Sequence, residues 1–253
     1  MCLILLAWRQ HPDYPLVLAA NRDEYYRRPT AVAGPWQEHP GIIGGRDLLQ
    51  GGSWLAMSRN GRFAAVTNFR ETPPAVDPPR SRGRLVSDFL LDACSPADYL
   101  ARTEQQGSLY RGFSLLVGNR DSVGYLSNRG GKYRLLEPGF YGVSNAFLDT
   151  PWPKVVAGKE GLEALLETSP LDKAGLFKML ADDNPSRLPA GIPANGDMCA
   201  GSRAPIFIRT AEYGTRCSTL LWTDQAGGMT LLERSFDGNG SQWSEVLHRF
   251  DGS

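Results

Sequence analysis

Met1-Cys2-Leu3-Ile4-Leu5-Leu6-Ala7-Trp8 and Leu16-Val17-Leu18-Ala19-Ala20-Asn21-Arg22-Asp23-Glu24 are the stretches on which the fold turns. Residues 2–8 and 15–20 have the length and apolar run of buried strands, and the turn-forming His11-Pro12-Asp13 separates them. The polar cluster Asn21-Arg22-Asp23-Glu24 ends the second strand in this reading, as a solvated strand end would. A cysteine therefore opens the first strand, beside the point where charged residues leave the second.

Working outward, Ile42–Asp47 leads through a Gly51-Gly52 turn to a strand over Ser53–Ser58. Arg59-Asn60-Gly61-Arg62 carries a type I′ hairpin signal and delivers the strand Phe63–Thr67. Thr72–Arg80 holds four prolines and reads as a loop. Leu85, Val86, Phe89 and Leu90 recur at helical spacing, which predicts a helix over Gly83–Ala93. A second helix follows over Pro96–Gln106, with Ser95 as N-cap and Pro96 in the first turn. Strands return at Phe113–Gly118, Val123–Ser127, Tyr133–Leu136 and Tyr141–Ser144. Helices are expected over Lys154–Glu167 and Leu171–Ala181, and closing strands around Ile206–Arg209, Arg216–Thr223 and Met229–Ser235. Asn184–Pro205, with four prolines and three glycines, is long enough to serve as a lid.

Strands, helices, strands, helices, strands joined mostly by hairpins favour antiparallel sheets with segregated helices. The fold class is thus α+β, as one domain over residues 1–253. No glycine-rich phosphate loop opens a helix, which argues against a dinucleotide-binding sheet. Lys plus Arg equals Asp plus Glu at 27 each, so no net positive field favours nucleic acid. The chain has no stretch long enough to span a membrane, and its apolar opening lacks the basic start and cleavage site of a secretory signal. Its four cysteines, Cys2, Cys94, Cys199 and Cys217, form no CxxC pair, so neither a zinc site nor a disulfide framework is expected. A soluble protein in the reducing cytoplasm is the expectation.

Removal of Met1 would leave Cys2 with a thiol and a free α-amine, whose reference pKa values are about 8.5 and about 7.7–8.0. Such an amine can act as the base for its own nucleophile without a histidine. The three histidines, His11, His39 and His248, stand in no recognisable catalytic setting. The other reading of Cys2 is a small apolar residue opening a buried strand. Arg22 and Asp23 could tune the thiol and hold the amine, or simply be solvated. Asn68 and Asn145 each end an apolar strand and could supply oxyanion hydrogen bonds, or form turns.

The opening Met-Cys, Asn-Arg-Asp-Glu at 21–24, Gly44-Gly45-Arg46-Asp47, Gly51-Gly52-Ser53-Trp54-Leu55 and Gly61-Arg62 with Thr67-Asn68 resemble the NRDE family, also called the transport-and-Golgi-organisation type. Ser81-Arg82-Gly83, Gly142-Val143-Ser144-Asn145, Pro205-Ile206-Phe207-Ile208 and Tyr213-Gly214-Thr215-Arg216 continue the resemblance in order over nearly the whole chain. That family in turn resembles N-terminal nucleophile hydrolases of the bile-salt-hydrolase and penicillin-acylase type. The resemblance implies a four-layer αββα sandwich and a processed cysteine that attacks an amide. It implies Cys2 as nucleophile, Arg22 and Asp23 as its partners, Asn68 and Asn145 at the oxyanion, and Arg216 as the late arginine of the site. The spacing between arginine and aspartate is shorter here than in those hydrolases. Trp54 is expected as core or pocket wall, and Arg46 with Asp47 as a structural ion pair.

Two functions follow as expectations. One is hydrolysis or acyl transfer on a C–N amide or thioester through Cys2, with no cofactor required. The other is a binding or trafficking protein for haem or an acyl-CoA-like lipid, which the resemblance also implies. Either way the partner is a small-molecule or lipid-like ligand.

Overall fold

The computed structural model describes residues 2–71, 80–184 and 204–252. The proline-rich segment predicted over 72–80 falls almost wholly outside these residues, as do the suspected lid over 184–205 and Cys199. Thirteen strands and four α-helices are described, with one short 3-10 turn over Gly107–Leu109. They are β1 (Leu3–Trp8), β2 (Leu16–Tyr25), β3 (Thr30–Trp36), β4 (His39–Asp47), β5 (Leu55–Ser58), β6 (Arg62–Asn68), α1 (Gly83–Leu91), α2 (Pro96–Gln105), β7 (Phe113–Gly118), β8 (Val123–Ser127), β9 (Arg134–Leu135), β10 (Gly139–Val143), α3 (Pro153–Leu165), α4 (Lys173–Leu180), β11 (Tyr213–Thr223), β12 (Met229–Phe236) and β13 (Gln242–Phe250).

All strand pairings are antiparallel. Strands β3 to β9 form a seven-stranded meander, and β10-β1-β2-β11-β12-β13 form a six-stranded sheet. The chain therefore leaves one sheet after β2 and starts the other at β3. Alternation along β1 shows how the layers arise. Ile4, Leu6 and Trp8 point into a core between the sheets, where they join Met57, Phe63 and Leu116. Leu3, Leu5 and Ala7 point the other way, into a second core under α3 and α4 with Leu162, Leu176 and Phe177. A third core packs α1 and α2 on the meander through Leu85, Val86, Phe89, Leu100 and Leu115. Three cores between four layers make the αββα sandwich.

Several sequence expectations need correction. The polar cluster does not end β2, which runs on to Tyr25 with Asn21, Arg22 and Asp23 all buried. Both faces of β2 are covered there, so polarity is no sign of solvent. The hairpin after β5 is not type I′: Ser58 pairs with Arg62 across a three-residue loop, and only Gly61 takes positive φ, at 73°. Strand β3 has no counterpart in the sequence reading because Gly34 and Pro35 interrupt its pattern at register shifts. Edge strand β13 was likewise unforeseen. Ile206–Arg209 forms only an isolated bridge, Arg209 to Gly214, rather than a strand.

Candidate active site

Leu3 pairs with Asn21, so the same register carried one residue further sets Cys2 beside Arg22. Cys2 keeps the parity of Ile4 and Leu6 and faces the space between the sheets. There it lines a cleft of about 300 Å³ with Arg22, Glu24, Arg28 and Asn68 among its walls. The Cys2 backbone is held from below: the Ser144 hydroxyl donates to the Cys2 carbonyl at 2.6 Å, and Thr67 Oγ1 donates to the Ser144 carbonyl at 2.5 Å. The Cys2 thiol lies 3.9 Å from the Asp23 carbonyl oxygen. Burial pushes the thiols of Cys94 and Cys217 up, that of Cys217 well up with Glu233 beside it, which makes both poor nucleophiles.

Arg22 is 6% exposed and stacks its guanidinium 4.2 Å over the Trp54 ring. The indole in turn lies against Gly45, where an added Cβ would come within 2.1 Å of Trp54 ring carbons. The paired-glycine string and the Ser-Trp string are thus one device. Gly45 lets the indole in, and the indole carries Arg22. Glu24 approaches Arg22 at 3.9 Å, while Nη1 of Arg22 has no hydrogen-bond partner among the described residues.

Asp23 points to the opposite face of β2, toward the helices. Its Oδ1 accepts from Thr215 Oγ1 at 2.7 Å, and its backbone carbonyl accepts from Tyr213 Oη at 3.0 Å. Its Oδ2 has no hydrogen-bond partner among the described residues. Burial pushes the Asp23 carboxyl up, and Lys154, the Thr215 hydroxyl and Arg22 oppose it.

Asn68 ends β6 exposed and lines the Cys2 cleft. Asn145 behaves differently from the expectation. It is buried, is not among the cleft-lining residues, and its Nδ2 donates to the Asn68 carbonyl at 2.7 Å. It fixes the strand end that carries Asn68. Arg216 also departs from expectation. Its Nη1 donates to the carbonyls of Tyr25, Tyr26 and Arg28 at 3.0–3.1 Å, and the side chain lines a neighbouring pocket that shares Arg22 and Trp54 with the Cys2 cleft. The bulge between Thr215 and Cys217 aims it at the β2–β3 corner rather than at Cys2. Arg46 and Asp47 do not pair with one another: Arg46 meets Glu38 at 2.7 Å and Asp47 meets Arg28 at 2.6 Å.

Sequence reasoning missed Lys154, whose side chain is completely buried yet close enough to feel Asp23 and Cys2. It also missed Thr215, Ser144 and Arg82, the last of which lines the cleft and donates to the Gly112 carbonyl. Ser144, Thr215 and Arg82 sat inside the motif strings already noted. Lys154 carried no such signal. None of the three histidines lines the cleft, and no cluster of three or more metal-ligating side chains occurs among the described residues.

The family model for Transport and Golgi organisation 2 matches residues 1–238. A Bos taurus protein, "Transport and Golgi organization protein 2 homolog", is 35% identical over 273 residues, covering 99% of each chain. Among solved structures, a Caenorhabditis elegans ortholog of N-acylethanolamine-hydrolyzing acid amidase superposes with a TM-score of 0.52 at 11% identity, covering 87% of this chain and 92% of that one. A mutant conjugated bile acid hydrolase from Clostridium perfringens superposes with a TM-score of 0.55 at 8% identity, covering 99% of this chain and 92% of that one. At such identities the two structures speak for the fold, which is that of the N-terminal nucleophile hydrolases.

Proposed function

The chain belongs to the Transport and Golgi organisation 2 family, and on that premise we propose that it is an N-terminal cysteine hydrolase or acyltransferase acting on a small amide or thioester. The observation that carries this reading is the placement of Cys2 at the mouth of β1, against Arg22 and Asn68 in one polar cleft. In this scheme Met1 is removed, and the freed Cys2 amine takes the proton from the Cys2 thiol. The sulfur attacks the acyl carbon, an S–C bond forms, and the Asn68 amide donates to the oxyanion. Collapse breaks the C–N bond as the ammonium proton passes to the leaving nitrogen. Water, or an acceptor amine, then attacks the thioester; the S–C bond breaks and the proton returns to sulfur. Arg22 favours the thiolate electrostatically, Asp23 holds the amine, and Asn145 positions Asn68. Arg216 braces the corner that follows β2.

The test uses recombinant full-length chain, with intact mass reporting the state of Met1, and N-acyl aminomethylcoumarin amides of varied acyl group as probes. The reading expects loss of Met1, a hydroxylamine-labile acyl adduct on Cys2, and coumarin release that Cys2→Ala abolishes. Retained Met1, or coumarin release undiminished by Cys2→Ala, overturns it. Haem held through a histidine would have to sit outside this cleft, and a Soret titration with His11, His39 and His248 variants checks that alternative.

A further inference from the structure

Lys154 is the second residue of α3 and has no exposed surface. Its Nζ finds no hydrogen-bond acceptor among the described residues. The position is doubly unfavourable for a cation, because burial strips its hydration and the first turn of a helix already presents partial positive charge. An uncompensated buried ammonium is strongly unfavourable, so something else in the site must hold it there. The facing anion is Asp23, fully buried on the helix-facing side of β2 with Oδ2 likewise lacking a hydrogen-bond partner among the described residues. The two groups act on one another electrostatically without closing to a contact ion pair, and Lys154 also feels Cys2.

Building on the Cys2 reading above, we infer that Lys154 is a positioning residue whose charge offsets Asp23, so that the freed Cys2 amine stays neutral and can accept the thiol proton. An α-amine is a base only when unprotonated. A buried carboxylate beside it, unopposed, would hold it as ammonium, and a cation of similar reach cancels that pull. The charged and titratable groups around Cys2 come from every neighbouring element. Arg22 and Asp23 stand on β2, Lys154 on α3, and Tyr213 on β11. Arg82 and Arg111 stand on the meander side, and Glu24 and Asp47 share Arg28 at the rim. Asp23 is the carboxylate of this set that faces Lys154. Burial pushes Lys154 down and Asp23 up, and each is drawn back by the other.

The experiment measures the pH dependence of Cys2 carbamidomethylation by iodoacetamide on the full-length chain. Peptide mass spectrometry separates Cys2 from the other cysteines, and intact mass records Met1. Lys154→Met should raise the pH of half-maximal reaction by about one unit, the usual scale for losing one nearby charge. Lys154→Arg should leave it in place, and Asp23→Asn should lower it. A purely structural Lys154 would lower thermal stability without moving the midpoint. Should Lys154→Met not fold, the uncharged pair Asp23→Asn with Lys154→Met must return the wild-type midpoint. Midpoints unmoved by the single variants, or not restored in the pair, overturn the inference. If Met1 is lost and Cys2 acylates while the midpoints stay fixed, the Lys154 inference alone falls. If Met1 is retained, the nucleophile reading falls and takes this one with it.

Discussion

Replacing Gly45 with alanine tests how the site is propped. Gly45 lies on β4 with ordinary strand φ, so conformational freedom is not its role. Space is. The added Cβ would sit 2.1 Å from Cη2 and from Cζ2 of Trp54, while carbon atoms rest at about 3.5–4.0 Å. The indole must therefore move by about 1.5 Å, which disturbs the Arg22 guanidinium stacked on it. Overpacking of this kind costs about 1–3 kcal/mol. Disturbing a partly desolvated cation–π contact adds about 1 kcal/mol. Alanine returns about 0.5–1 kcal/mol by restricting the unfolded chain. The net loss is about 2 kcal/mol, which for a chain of this length lowers Tm by about 4–8 °C. Thermal unfolding followed by circular dichroism reads the shift, and iodoacetamide labelling of Cys2 reads the accompanying change in the cleft. The decisive control is the same change in a Trp54→Leu background, where no indole is present and the penalty should fall below about 0.5 kcal/mol. An equal penalty in both backgrounds, or no shift in either, would refute the argument.

Three further expectations follow from the same geometry. Asn21 Nδ2 donates to the carbonyls of Leu180 and Ile206 at 2.8 and 2.9 Å, and its Oδ1 accepts from Ser218 at 2.6 Å, all buried. Asn21→Ala should cost about 2–5 kcal/mol in urea unfolding, because those groups lose their partner inside the protein. Arg216→Met removes three donations to the β2–β3 corner and should cost about 1–3 kcal/mol; an unchanged urea midpoint would show that the corner holds without it. Glu233 accepts from the Ala33 amide and Thr219 Oγ1, and burial pushes its carboxyl above the usual glutamate value of 4.5. A raised folded pKa means the folded state binds the proton more tightly, so this group's contribution to stability falls as pH rises from about 4.5 through the folded value. Glu233→Gln should flatten that limb in pH-dependent unfolding, and an identical slope in both proteins would count against it.

Much of the sandwich was legible because both sheets announce themselves locally. Ser95 caps α2 through the Asp98 amide, Leu85, Val86, Phe89 and Leu90 form the buried stripe of α1, and β7 and β8 begin and end at the predicted residues. What failed has a common physical origin. Pattern reading assumes that a strand has at most one polar face toward water, so Asn21-Arg22-Asp23 looked like a strand end. In the sandwich β2 is covered on one face by Trp54 and on the other by α3 and α4, and each polar side chain finds its partner in another part of the chain. Strand β13 escaped for the opposite reason. It is an edge with Trp243 and Leu247 exposed, so its alternation marks no core. Asn145 and Arg216 were picked out as residues near the chemistry, yet their hydrogen bonds go to backbone carbonyls that aim other residues. Sequence distance gives no measure of which side chain faces a cleft and which holds the one that does.

The alternation of β2 also explains why a compact four-residue string can serve two environments at once. Arg22 and Cys2 share the face between the sheets, where the cleft opens. Asp23, one residue on, lies on the helix face with Thr215 and Lys154, shut away from solvent. Strand geometry thus separates the group at the cleft from the groups buried beneath it, although they are neighbours in sequence. A loop carrying the same residues could not keep them on opposite faces of a sheet. Arginine and aspartate one step apart in a strand fall on opposite faces, and a cation from the helix layer is then the natural complement to a buried aspartate. Moving the carboxylate to the cleft face of β2 would leave the Lys154 ammonium buried with no anion opposite it.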